Sequence, residues 1–167
     1  MNNLVTKSLL ICTVTLAIGF MPVRKVKAQV IFDGCSPDYW KDHTAQWPAT
    51  GFLPGQSVQS VFSKAFTFGL GRQSLLQAVI SQSSDGEKSY GRYHRRAVKE
   101  AARTLIPAAV APLLNSAHLG VEFLRTTTEV INEVNTALAS RNRDTILALA
   151  GELDFLDSAF ACPLNNS

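Results

Sequence analysis

Between Cys35 and Pro48 the chain reads CSPDYWKDHTAQWP, a cysteine, three aromatic residues, a lysine and a histidine with no helical or strand period. Such a density of side chains outside regular structure marks a compact, specified surface element. Two kinds of chemistry fit it. Tyr39, Trp40, Lys41, His43 and Trp47 could form a ligand platform, with indoles stacking on sugar rings or cations while the lysine and histidine orient hydroxyls or anions. Alternatively, Trp40 and Trp47 plug the top of a core, the Lys41 stem covers an indole, and His43 caps a helix or bonds the backbone. A peptide of this length needs apolar anchors to stay ordered, which favours the second reading.

A second candidate is cationic. Arg92, Arg95, Arg96, Lys99 and Arg103 recur at i, i+3, i+4, i+7 and i+11, so a helix here would carry a basic stripe, with Tyr90 and Tyr93 nearby. That stripe could hold an acidic polysaccharide or another polyanion. Glu100 interrupts it, and a solvated helix face paired with acids is the commoner outcome. His94 falls with Val98, Ala101, Ala102 and Leu105 on the opposite, apolar face and reads as a core histidine.

Catalytic signals are thin. The chain has no GxSxG elbow, HExxH helix, phosphate-binding glycine loop, GxGxxG turn or calcium loop. His43, His94 and His118 lie far apart, and an extracellular enzyme or metal site would need the fold to bring them to a carboxylate. Glu152, Asp154 and Asp157 are spaced along one helix. Leu153 and Leu156 take its inner side, so Asp154 and Asp157 are expected on the solvated face. No catalytic residue, metal or cofactor is assigned.

The elements that would position these residues begin behind an apparent leader. Lys7 precedes an apolar run from Leu9 to Val23, short against the roughly 20 residues of a membrane span and suited to a secretory signal. Val26-Lys27-Ala28 offers small residues for cleavage before Gln29. The alternative is an uncleaved anchor, which Arg24, Lys25 and Lys27 oppose by following the run with positive charge. Cys12 is no lipoprotein site, because Ile11 precedes it. Residues 1–28 hold four of the 16 basic residues and none of the 13 acidic ones, leaving 12 against 13, a formal charge of −1. The pI near 8.9 thus belongs largely to the leader, and nucleic acid is an unlikely partner.

Residues 29–167 fit one domain. Of its two cysteines, Cys35 stands near the start and Cys162 near the end, and in an oxidising compartment such a pair reads as a disulfide. Closing so long a loop is worth about 4–5 kcal/mol in the chain-entropy model. Two separate buried thiols are the alternative. A metal site fits less well, since neither cysteine has a CxxC or Cys/His spacing around it.

Periodicity predicts an all-α, single compact bundle of about five to six helices after the aromatic loop. One helix spans Ser57–Phe66 and another Gln73–Ser81, with Leu75, Leu76, Val79 and Ile80 on one face. A polar breaker follows from Ser81 to Gly86. Helical character resumes from Lys88 to Leu105, and Pro107 opens a further helix to about Ala117. Thr126-x-x-Glu129 is a capping box opening a helix with Val130, Ile131, Val134, Ala137 and Leu138 inward. The last helix, Asn142–Ala159, carries Ile146, Leu147, Ala150, Leu153 and Leu156 as its stripe.

The Cys35–Pro48 segment resembles the C-x-x-G-Y-W-K-N-H-P-x-x-W-P opening signature of a family of bacterial secreted helical modules. Leu113-Leu114-Asn115-Ser116-Ala117 is similar to that family's alanine-rich LLNAA helix. Glu129 to Leu138 is similar to the helix after it, and Cys162-Pro163-Leu164 to the C-terminal end of some members. Asp38 replaces the usual glycine and Asp42 the usual asparagine. Pro107 and Ala108 occupy the region where many members place a histidine, whose place His94 would have to take. The resemblance implies a secreted or cell-surface location and carries no enzymatic activity with it. The expectation is a secreted, non-catalytic binding or structural module whose partner is an extracellular glycan or protein. No membrane span is expected once the leader is removed.

Overall fold

The structure, a computed structural model, describes residues 32–82 and 94–166. The expected leader and cleavage point therefore lie outside the described residues, as do Tyr90, Arg92, Tyr93 and most of the polar breaker. The described residues form six α-helices: α1 Pro37–Asp42, α2 Val58–Val61, α3 Leu75–Gln82, α4 His94–Ala117, α5 Thr127–Ser140 and α6 Arg143–Ser158. Short 3-10 turns follow α1 (Thr44–Thr50), α2 (Ser63–Phe68) and α6 (Pro163–Asn166). The fold is all-α, and its two ends are joined by a Cys35–Cys162 disulfide, as the cysteine count predicts.

Helix α4 is the axis, with α3, α5 and α6 against it and α1 across its C-terminal half. Every residue from Leu105 to Asn115 is buried. The sequence predicts a break before Pro107. Instead α4 runs unbroken through Pro107 and Pro112. Each proline removes one backbone donor, leaving the carbonyls of Arg103 and Ala108 without their usual partners, at a cost of about 3 kcal/mol for an interior position. Burial of Leu105, Ile106, Val110, Leu113 and Leu114 offsets this at roughly 1.5–3 kcal/mol for each large side chain.

The first expected helix is also different, in the opposite direction. Ser57–Phe66 divides at Phe62 (φ −103°, ψ 78°) into the single turn of α2 and a 3-10 turn. The amides at its start are drawn sideways to the segment ahead of α3. Val58 N–H donates to the Gln73 carbonyl at 2.9 Å and Gln59 N–H to Gly71 at 3.1 Å, while Leu75 N–H returns to Gln56 at 2.9 Å. Helix α3 opens on a reciprocal cap in which Ser74 Oγ accepts from Gln77 N–H and Gln77 Oε1 accepts from Ser74 N–H. Leu75, Ala78 and Val79 are buried, whereas Ile80, expected inward, is 45% exposed.

The α5–α6 pair forms as its caps dictate. Thr126 Oγ1 accepts from Glu129 N–H, and Glu129 answers on Thr126 N–H at 2.8 Å, completing the predicted box. Arg141, at φ 51°, ends α5 in the left-handed region, and Asn142 Oδ1 caps α6 by accepting from Asp144 and Thr145. Val130, Val134, Ala137 and Leu138 share one core with Ile146, Ala150 and Leu153, Leu156 is buried as well, and Ile131 and Leu147 are half-buried beside the core. Arg125, in the connection before α5, binds Glu133 at 2.9 Å and also pairs with Glu152, stapling α5 to α6. Among the described residues no helix is long and apolar enough to cross a membrane.

Candidate functional site

The aromatic segment folds as an arm laid over the end of the bundle. Ser36 Oγ accepts from Tyr39 N–H and Pro37 holds the first helical position, so α1 starts on two local signals. The segment then turns through Thr44–Thr50 and stops at Gly51, whose φ of 79° suits a residue without a side chain. Trp40 and Trp47 have no exposed surface and Tyr39 only 7%. Both indole N–H groups are spent inside the protein. Trp40 Nε1 donates to Asn115 Oδ1 at 2.9 Å, and Trp47 Nε1 donates to the Trp40 carbonyl at 2.9 Å. Neither indole therefore presents a stacking face to solvent, because the core takes both as the packing argument anticipates.

The remaining candidates of the segment also serve it internally. Lys41 Nζ pairs with Asp38 at 2.8 Å one turn back on α1. The His43 ring stacks on Tyr39, centroids 4.1 Å apart and planes 11° from parallel, with Nδ1 2.8 Å from the Tyr39 carbonyl. A carbonyl only accepts, so Nδ1 carries a proton there, and His43 is otherwise exposed. His118, past the end of α4, sits 6.0 Å from the Trp40 ring and takes the Gly120 N–H on Nδ1 at 3.1 Å. The fold thus brings His43 and His118 to opposite members of the Tyr39–Trp40 pair, while the His94 side chain lies outside the described residues. Among the described residues there is no group of three or more histidine, cysteine or acidic side chains placed to hold a metal ion.

At the centre of the arm's seat is a residue to which the sequence assigns no role. Asn115 is fully buried on α4, and its amide is used completely. Oδ1 accepts from Cys35 N–H (3.0 Å) and Trp40 Nε1 (2.9 Å), while Nδ2 donates to the Cys35 carbonyl (2.9 Å) and to Asp157 Oδ1 (2.9 Å). One side chain thereby joins the arm, α4 and α6, beside the disulfide. The arm passes so close to α6 that a Cβ on Gly34 would lie 3.2 Å from the Leu156 carbonyl oxygen. A signal was present in the sequence, since Asn115 is a lone amide in an otherwise apolar helix interior.

Asp157 requires a correction. It is 2% exposed rather than on the solvated face. Its position four residues after Leu153 continues the buried Ile146–Ala150–Leu153 stripe at helical spacing, and that periodicity was the overlooked signal. Burial pushes its carboxyl well above the usual aspartate range. The Asn115 hydrogen bond opposes the shift and the nearby Asp154 charge adds to it. Of the other two carboxylates of this group, Asp154 is exposed as expected and Glu152 is held by Arg125.

On the basic stripe, Lys99 and Arg103 are exposed, and Arg103 is paired with Glu100 at 2.8 Å. Arg92 and the side chains of Arg95 and Arg96 lie outside the described residues. Val98, half-buried, and Ala101, Ala102 and Leu105, buried, form the inner face as expected. The chain matches no family model, no curated protein and no solved structure.

Proposed function

We propose that the chain is an exported, disulfide-clasped helical module that acts by binding or by providing structure rather than by catalysis. The observation that carries this reading is the internal use of the aromatic segment. Trp40 and Trp47 are wholly buried with both indole N–H groups satisfied, and the segment is tied to the far end of the chain by Cys35–Cys162. A disulfide closing a domain of this size belongs to an oxidising compartment, consistent with the apolar leader at residues 9–23. The resemblance of Cys35–Pro48 to secreted bacterial modules supports the same location. Residues of the segment that stay in contact with solvent, chiefly His43 and the Lys41–Asp38 pair, are the part of it that an extracellular glycan or protein would meet.

Native mass spectrometry on protein expressed with its leader tests this. The expected species is residues 29–167 less two hydrogens, gaining them on reduction and carrying no metal or small-molecule adduct. An unprocessed, reduced chain would overturn export. A stoichiometric metal adduct lost on His43→Ala or His118→Ala would overturn the non-catalytic reading in favour of a histidine site.

A further inference from the structure

A carboxyl group inside a protein core is costly when charged and tolerable when neutral, and folded chains keep one only where its surroundings accept that form. Asp157 is such a group. Oδ1 receives the Asn115 amide, and Oδ2 is buried with no hydrogen-bond partner among the described residues. Among the described residues, the ionisable groups on the segments packed here bring no compensating cation. Arg125 is committed to Glu133 and Glu152, and His118 takes the Gly120 N–H. Glu122 and Asp33, joined through their backbones, are acids, and Cys35 and Cys162 are bonded to each other. The charge that does act on Asp157 is Asp154, of the same sign and one turn back on α6.

We propose that Asp157 is an acid-held latch: as the neutral acid it completes the Asn115 hub that seats the Cys35–Trp40 arm, and its ionisation loosens that seat. The coupling is direct, because the Asn115 amide that meets Asp157 is the same group that holds both Cys35 backbone atoms and the Trp40 indole. A new negative charge on Oδ1 and Oδ2 pulls the Nδ2 protons toward itself and away from the Cys35 carbonyl, or draws water into the seat. Either response is felt first in the arm and at the turn of α6 that carries Asp157, before it reaches α5. The raised carboxyl fixes the sign. The folded state holds the proton more tightly than the unfolded chain, so this contribution is complete below the unfolded aspartate pKa and is lost as pH rises through the folded one.

The test is a carboxyl carbon-13 titration of the native protein, followed in parallel at the Trp40 indole N–H, with denaturant unfolding of native protein and Asp157→Asn at pH 5 and pH 8. Asp157 is expected to titrate well above the other aspartates, with the Trp40 indole resonance moving at the same midpoint. The unfolding constant should rise between the two pH values by about tenfold for each unit by which the folded pKa exceeds 5. Asp157→Asn should lose that dependence and exceed the native protein in stability at pH 8. Titration of Asp157 with the other aspartates, an indole resonance that does not follow it, or an unchanged pH dependence in Asp157→Asn would each overturn the latch. Should Asp157→Asn fail to fold, the native titration decides alone.

Discussion

The arm from Cys35 to Thr50 and the α5–α6 pair are both well ordered, but they are ordered by different means. In the α5–α6 pair the start of α5 and the turn between the helices are settled by neighbours two or three residues away, namely Thr126 with Glu129, Ser140 with Asn142, and Asn142 with Thr145. The arm also has a local cap, Ser36, yet its decisive bonds reach Asn115, 80 residues on from Cys35, and Cys162, 127 residues on. The two regions even treat carboxylates oppositely. Glu129 is exposed and its pKa is held below the usual range by the Thr126 backbone N–H and hydroxyl, whereas Asp157, under the arm, is pushed above it by burial. Local bonds make helices that would start in the same place in many folds. Distant bonds make a loop that has a shape in this fold alone.

The contrast breaks most sharply at Trp47. Trp47→Ala should cost about 3–5 kcal/mol of unfolding free energy, through lost burial and the cavity left behind, measured by urea denaturation. A variant of native stability would show instead that the indole is dispensable to the core. Next is Asn115→Ala. It strands the Cys35 N–H, the Cys35 carbonyl and the Trp40 indole at once, and each buried group left unpaired costs about 1–3 kcal/mol. Their sum overstates the loss, because the seat relaxes as one unit. Hydrogen exchange should rise in the arm well before it rises in α5 and α6, and uniform acceleration would contradict the separation of the two regions. The smallest effect belongs to the locally built region. Thr126→Ala should cost about 1 kcal/mol, with faster exchange confined to the first turn of α5 and the arm unaffected.

What the sequence makes legible follows the same division. The capping box at Thr126, the Asn142 start of α6 and the apolar stripes of both helices can be read directly, because a helix period and a cap are properties of neighbouring residues. The Cys35–Cys162 pairing is legible for a different reason, that residues 29–167 contain two cysteines and so one intramolecular choice. Pro107 misleads, since its preference for the first turn of a helix is local while the burial that carries α4 through it is tertiary. Phe62 misleads similarly. The apolar spacing around it suits one helix, but Phe62 itself leaves helical backbone (φ −103°, ψ 78°) and the chain continues as a 3-10 turn. Within the aromatic segment the sequence argues for buried tryptophans but cannot identify their acceptor, because nothing near residue 40 announces residue 115. Asp157 is the instructive miss. Leu153 and Leu156 suggest an opposite, solvated face for it, whereas the spacing from Ile146 through Leu153 places it inward.

The disulfide has one more consequence. Because it joins residues 35 and 162, nearly the whole domain from the first turn of the arm to the end of α6 lies inside one covalent ring. A protease that cuts once within that ring, for instance in the span between Gln82 and His94, opens the circle without dividing the molecule. The two pieces stay tethered, with α1 to α3 still linked to α4 to α6 through sulfur, and they keep their effective concentration for each other. Damage to such a chain accumulates silently as nicked but undivided molecules, and only a reducing environment would let the halves part.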